Sequence, residues 1–227
     1  MSKFDWIKNF LANSQGERTQ VKDFFPDIFD RYFFVHWAVG IIDDFPFDKY
    51  PENNDTFEEI NLRVKIEREF NLFLNENYEQ LYRPASVKEI SERFKAPYSH
   101  LTCSKIKQTP GVEILSELSI KRLKSSLTKI SEGLTLNLFI EDIYRDPFED
   151  NPKQMHENIN LTEYFDFQEE TLFDYFTYLF PDNLDWCLST GEDAPMILAC
   201  KNHLADSLQS KFDLELFELN YVQNVFD

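Results

Sequence analysis

Residues 30–50, DRYFFVHWAVGIIDDFPFDKY, decide how the chain is read, because they set a histidine inside an aromatic and β-branched run that closes on two aspartates. Such side chains fit a pleated, half-buried surface, and Pro26 blocks a regular element just upstream, so one strand is expected from 31 to 42. On that strand His36 shares a face with Phe34 and Ala38. Asp43 and Asp44 follow seven and eight residues later, about 25 Å away along extended chain. A general base needs its partner within hydrogen-bond reach. Only a hairpin at Gly40 would close the gap, and no turn sequence signals one. The run is therefore expected to be a buried strand and not a catalytic His–Asp dyad.

Working outward, residues 3–13 place Phe4, Ile7, Phe10 and Leu11 on one side of a helix, and 16–23 is a polar connection. Residues 43–55 are rich in Pro, Asn and acids and read as loop. Residues 56–82 predict a long helix with Phe57, Ile60, Val64, Phe70, Leu74, Tyr78 and Leu81 inward. Thr56 with Glu59 opens it as a capping box, and Pro84 stops it. Ser86 with Glu89 opens a second helix carrying Val87, Ile90 and Phe94, closed by Pro97. Residues 98–111 look irregular, and a further helix over 116–131 turns Leu118, Ile120, Leu123, Leu127 and Ile130 inward.

Beyond Gly133 the apolar period changes to two, so Leu134, Leu136, Leu138 and Ile140 share one face of a strand. Residues 161–180 fit helix and strand equally. LDWCLST (184–190) reads as a strand, Gly191 as a turn, and Asp193 as the cap of a helix carrying Ile197, Cys200, Leu204 and Leu208. LELFELNYV (214–222) then returns as a strand. The fold class expected is α+β: a single domain over 1–227 with a mixed β-sheet covered by helices and a C-terminal β-α-β unit. A helix-rich part over 1–131 and an acidic, sheet-rich part over 132–227 are the subdivision the pattern allows.

Composition excludes several classes. The five glycines are too scattered for a phosphate-cradling loop or a dinucleotide fingerprint. No apolar run approaches the roughly 20 residues of a membrane span, and no leader pattern opens the chain. Cys103, Cys187 and Cys200 form no close pair and read as reduced, so the expected compartment is the cytoplasm. The 23 Phe and 10 Tyr supply a large aromatic core. Charge is the most informative property, at net −18. Residues 133–227 carry 20 acids against 4 bases, whereas 83–129 is net +6. A field of that sign repels nucleic acid and membrane surfaces and attracts basic partners.

Chemistry-bearing clusters are sparse. His100, His156 and His203 stand apart, with no zinc spacing. EDIYRD puts Glu141, Asp142 and Asp146 at the mouth of a strand, with Glu149 and Asp150 beyond, where carboxylate oxygens could converge on a hard cation. Neither Cys187 nor Cys200 has the cationic neighbours that make a thiolate, and there is no Gly-x-Ser-x-Gly elbow.

The stretch DWCLSTGEDAPMILACKNHLADSLQSKFDLELFEL (185–219), with YFFVHW and SVKEI upstream, resembles an uncharacterised family of small bacterial cytoplasmic proteins. These end in a Trp-Cys strand, an acidic turn, a helix and a final strand. That family has two aspartates around the turn, where this chain has Glu192 and Asp193 adjacent. The resemblance implies an order of elements and no reaction.

The leading expectation is thus a non-enzymatic binding module without a cofactor, whose acidic second half engages a basic protein. One form of it is an immunity-type inhibitor of a toxin such as a nuclease. The expected contacts are Asp142, Asp146, Glu149, Asp150, Glu192 and Asp193, with Tyr144 and Phe148 as aromatic anchors. The alternatives are a metal-assisted hydrolase built on the same carboxylates and a structural domain whose acidity confers solubility.

Overall fold

A computed structural model describes residues 2–14, 17–53, 56–72, 77–141, 154–191 and 194–227. From the N-terminus, α1 (Asp5–Asn13) buries Ile7 as its period predicts. The stretch over 31–42 then yields two strands instead of one, β1 (Arg31–Val35) and β2 (Val39–Ile41), separated at His36, Trp37 and Ala38. They join different sheets. Continuous apolar patterning reports burial, and it cannot report which neighbours each half will pair with.

α2 (Phe57–Glu69) opens on the expected capping box: the Thr56 hydroxyl accepts from the Glu59 N–H at 3.2 Å, and the Glu59 carboxylate accepts from the Thr56 N–H at 2.9 Å. It stops well before residue 82, where Asn71 takes the left-handed φ of 56° that ends helices. β3 (Arg83–Ala85) leads into α3 (Val87–Phe94), capped by Ser86 and closed by left-handed Lys95. β4 (Val112–Ile114), which the sequence did not signal, follows directly after the stretch expected to be irregular, and α4 (Ser116–Ile130) comes next as expected. Next come β5 (Leu136–Glu141) and β6 (Met155–Ile159). The ambiguous 161–180 resolves into both states, α5 (Leu161–Glu170) and β7 (Phe176–Pro181), with Leu172 and Phe173 turning the chain at positive φ. β8 (Trp186–Thr190), β9 (Ile197–Cys200), α6 (Asn202–Lys211) and β10 (Leu216–Leu219) complete the described elements.

The chain divides into two compact units, one of residues 1–36 with 120–227 and one of 37–119. The first holds a seven-stranded sheet in the order β10-β1-β9-β8-β7-β5-β6. The α+β class holds, and the sheet departs from the mixed one expected because its paired neighbours are all antiparallel. Short connections such as the one joining β7 to β8 permit only antiparallel neighbours. A β-α-β unit is present, but it starts one strand later than expected. β9 and β10 both run antiparallel to β1, so they point the same way with β1 between them and α6 linking them. Ile197 and Cys200, expected on a helix, are buried strand residues paired with both β1 and β8. One face of the sheet, carrying Tyr32, Phe139, Tyr178, Phe180, Cys187, Ile197 and Ala199, packs on Phe4, Ile7, Val21, Phe24, Phe25 and Phe29.

The unit of residues 37–119 has a three-stranded antiparallel sheet, β3-β2-β4. A small aromatic cluster of Phe45, Tyr50 and Ile66 sits beside it, packed with Ile42, Phe47, Phe70 and Leu72. The inward stripe expected for α2 is corrected here. Phe57 is 75% and Ile60 41% exposed, and the helix buries Ile66 instead. Leu62 is exposed as well, so the apolar residues of this helix form no single buried stripe, and packing decides that Ile66 is the one covered. Among the described residues no helix is long and apolar enough to cross a membrane.

Candidate functional site

The expected contact residues Asp142, Tyr144, Asp146, Phe148, Glu149, Asp150, Glu192 and Asp193 lie outside the described residues. The strands that lead into them do not. Glu141 ends β5 opposite Phe176, and Thr190 ends β8 opposite Thr177. β5 and β8 therefore finish at the same end of the sheet, with only the start of β7 between them.

A polar centre lies at that end, on the face covered by the N-terminal segment. Arg18 Nη2 donates to Glu141 Oε1 at 2.5 Å, with each side chain 19% exposed. The guanidinium carbon stands 4.8 Å over the Phe176 ring, and Phe176 stacks on Phe24 at 6.2 Å. Side chains alternate along a strand. Tyr178 therefore projects on the same face as Phe176, and Ser189, its cross-strand partner, projects beside it. Both are fully buried. Burial pushes the Tyr178 phenol far up, against the opposing pull of Arg18, and Glu141 adds to the rise. The Ser189 hydroxyl eases that slightly without reaching hydrogen-bonding geometry. Burial is the largest influence on Arg18 and disfavours its charge, but the Glu141 hydrogen bond and the surrounding electrostatics, Glu141 and Asp23 among them, together outweigh it and keep the guanidinium protonated.

The opposite face of the same sheet end is pinned by a second polar set. Gln168 Nε2 on α5 donates to the hydroxyls of Thr177 at 2.9 Å and Thr190 at 3.0 Å, which lie 2.7 Å apart. All three side chains are buried. The ends of β7 and β8 thus carry buried polar contacts on both faces of the sheet.

Chemically, the centre pairs its charges and lacks an activated nucleophile. Glu141, expected with Asp142 and Asp146 as a cation ligand, instead has one oxygen engaged by Arg18. Among the described residues no three His, Cys, Asp or Glu side chains gather to hold a metal ion. Glu141 was legible as an acid at a strand mouth, but Arg18 was not, since it sits in a polar connection with no period.

The other candidates resolve as the sequence suggests. His36 is buried, its ring 6.0 Å from Phe34 and 6.1 Å from Phe217. Asp43 is held by a two-pronged contact from Arg83 at 2.7 and 2.8 Å, which lowers its pKa. Burial pushes the Cys187 thiol well up and the Cys200 thiol to about 12, the opposite of the shift that activates a thiolate. Cys103, Arg63 and Lys107 share a cleft of about 620 Å³ within residues 37–119, where Glu52 and Glu113 balance the cations.

Comparison with protein-family models, with curated proteins and with solved structures finds no match to this chain. Its function has to be read from its own chemistry.

Proposed function

We propose that the chain is a cytoplasmic, acidic protein-binding module whose sheet end formed by β5, β7 and β8 presents carboxylates to a basic partner. An immunity-type inhibitor of a cationic toxin is the concrete form. The observation that carries this reading is the convergence of β5 and β8 on one end of the sheet. It starts two acidic stretches, 142–150 and 192–193, from neighbouring points. Residues 133–227 hold 20 acids against 4 bases, so a cationic partner approaching this part of the chain meets the field of a net negative charge. Such fields raise association rates and select partner sign more than they add affinity.

The test begins with affinity capture from a lysate of the source and continues with the purified pair. Affinity is expected to fall about tenfold or more between about 0.05 and 0.5 M salt. Replacing Asp142, Asp146, Glu149 and Asp150 by their amides should slow association by about tenfold at low salt. A purified complex whose affinity ignores salt and these replacements refutes the proposal.

A further inference from the structure

Four buried polar atoms around the Arg18–Glu141 pair have no hydrogen-bond partner among the described residues: Arg18 Nη1, Glu141 Oε2, Tyr178 Oη and Ser189 Oγ. They belong to one patch. Glu141 faces Phe176 across the β5–β7 ladder, Ser189 faces Tyr178 across the β7–β8 ladder, and Phe176 and Tyr178 are two residues apart on one face. Arg18 lies over Phe176. Native interiors rarely leave such groups unmade, and the cost of doing so is large against the marginal stability of a fold.

We infer that this patch is a built binding site for ordered water, held between the N-terminal segment and strands β5, β7 and β8. The hydrogen-bond inventory selects the guest. Arg18 Nη1 only donates, Glu141 Oε2 only accepts, and the two hydroxyls do either. A guest must therefore donate and accept in the same small space. An anion has nothing to offer Glu141, a metal cation is repelled by Arg18, and an apolar guest satisfies none of the four. The ion pair is already neutral, so a charged guest gains no counter-ion. Water, with two donors and two acceptors and a need for two to four polar partners, meets these terms. It would join residue 18 to the ends of three strands, making hydration part of what seats the N-terminal segment on the sheet. This holds whatever the acidic stretches bind.

The experiment compares the melting temperature of the wild-type chain with that of Tyr178→Phe. If water occupies the site, removing the phenol oxygen strips it of a partner and the melting temperature falls, by about 2–4 °C for a chain of this size. If the site is dry, the same change deletes an unsatisfied buried hydroxyl, and the melting temperature holds or rises. That second result overturns the inference. A high-resolution crystal structure of the wild type supplies an independent reading. Solvent density within hydrogen-bond distance of Arg18 Nη1 and Tyr178 Oη supports the site, and its absence there overturns it.

Discussion

At the scale of single residues, the Arg18–Glu141 pair is a largely buried ion pair on the sheet face that the N-terminal segment covers. Both side chains are largely out of water, so removing one leaves the other charged and poorly solvated. A fully buried pair broken in this way costs about 3–5 kcal/mol, and the residual exposure here reduces that to about 1–3 kcal/mol for Arg18→Met. Adding Glu141→Leu to that variant should recover much of the loss, because no lone carboxylate then remains. Chemical denaturation of the two single variants and the double variant measures this directly, and additive losses would contradict it. The sequence marked Glu141 but passed over Arg18, for a physical reason. A buried ion pair between residues 123 positions apart leaves no local pattern, since neither partner alters the periodicity around it. His36 is the converse case. Its aromatic neighbours in sequence already implied a packed imidazole, and the rings of Phe34 and Phe217 flank it.

At the scale of elements, local chemistry was legible and pairing was not. The Thr56 capping box closes as its spacing predicts, and the box expected at Ser86 half-forms, with the Ser86 hydroxyl accepting from the Glu89 N–H while the Glu89 carboxylate accepts from Arg83; a cap is satisfied within four residues. The break inside 31–42 was invisible, since β1 and β2 are equally apolar and differ only in the sheets they join. The same holds for Ile197–Cys200, a continuous apolar run whose strand state is decided by neighbours on both sides. Gly40 shows what the break demands. It sits in the central strand β2, and a Cβ there would lie 2.7 Å from Tyr82 Cβ and 2.9 Å from both Leu115 methyls. Backbone and side chains would have to shift, so Gly40→Ala should destabilise residues 37–119 by about 1–3 kcal/mol. Amide exchange across β2, β3 and β4 should accelerate with it. Unchanged protection in those strands would show that the sheet has slack it does not display.

At the scale of the whole chain, aromatic burial predicts an alkaline limit to stability. Burial raises the phenols of Tyr32, Tyr164 and Tyr178, and pushes Tyr82 up to about 12. Free tyrosine titrates near pH 10, so below that value both folded and unfolded chains hold these protons and stability is complete. Above it the unfolded chain releases them first, and stability is lost as pH climbs towards and past 12. Phenolate absorbance should therefore rise late and steeply, together with loss of the circular dichroism of the fold. A gradual titration of every tyrosine near pH 10 with the fold intact would contradict this. The sequence by itself determined the α+β class, the Thr56 and Ser86 helix starts, the acidic second half and the burial of Cys187 and Cys200, because each follows from composition or from contacts a few residues long. Only the tertiary structure decided which half of 31–42 joins which sheet, which apolar residue of α2 is buried, that the paired strands are antiparallel, and that Arg18 meets Glu141. Those depend on partners far apart in the chain, and hydrophobic patterning says that a residue is buried without saying against what.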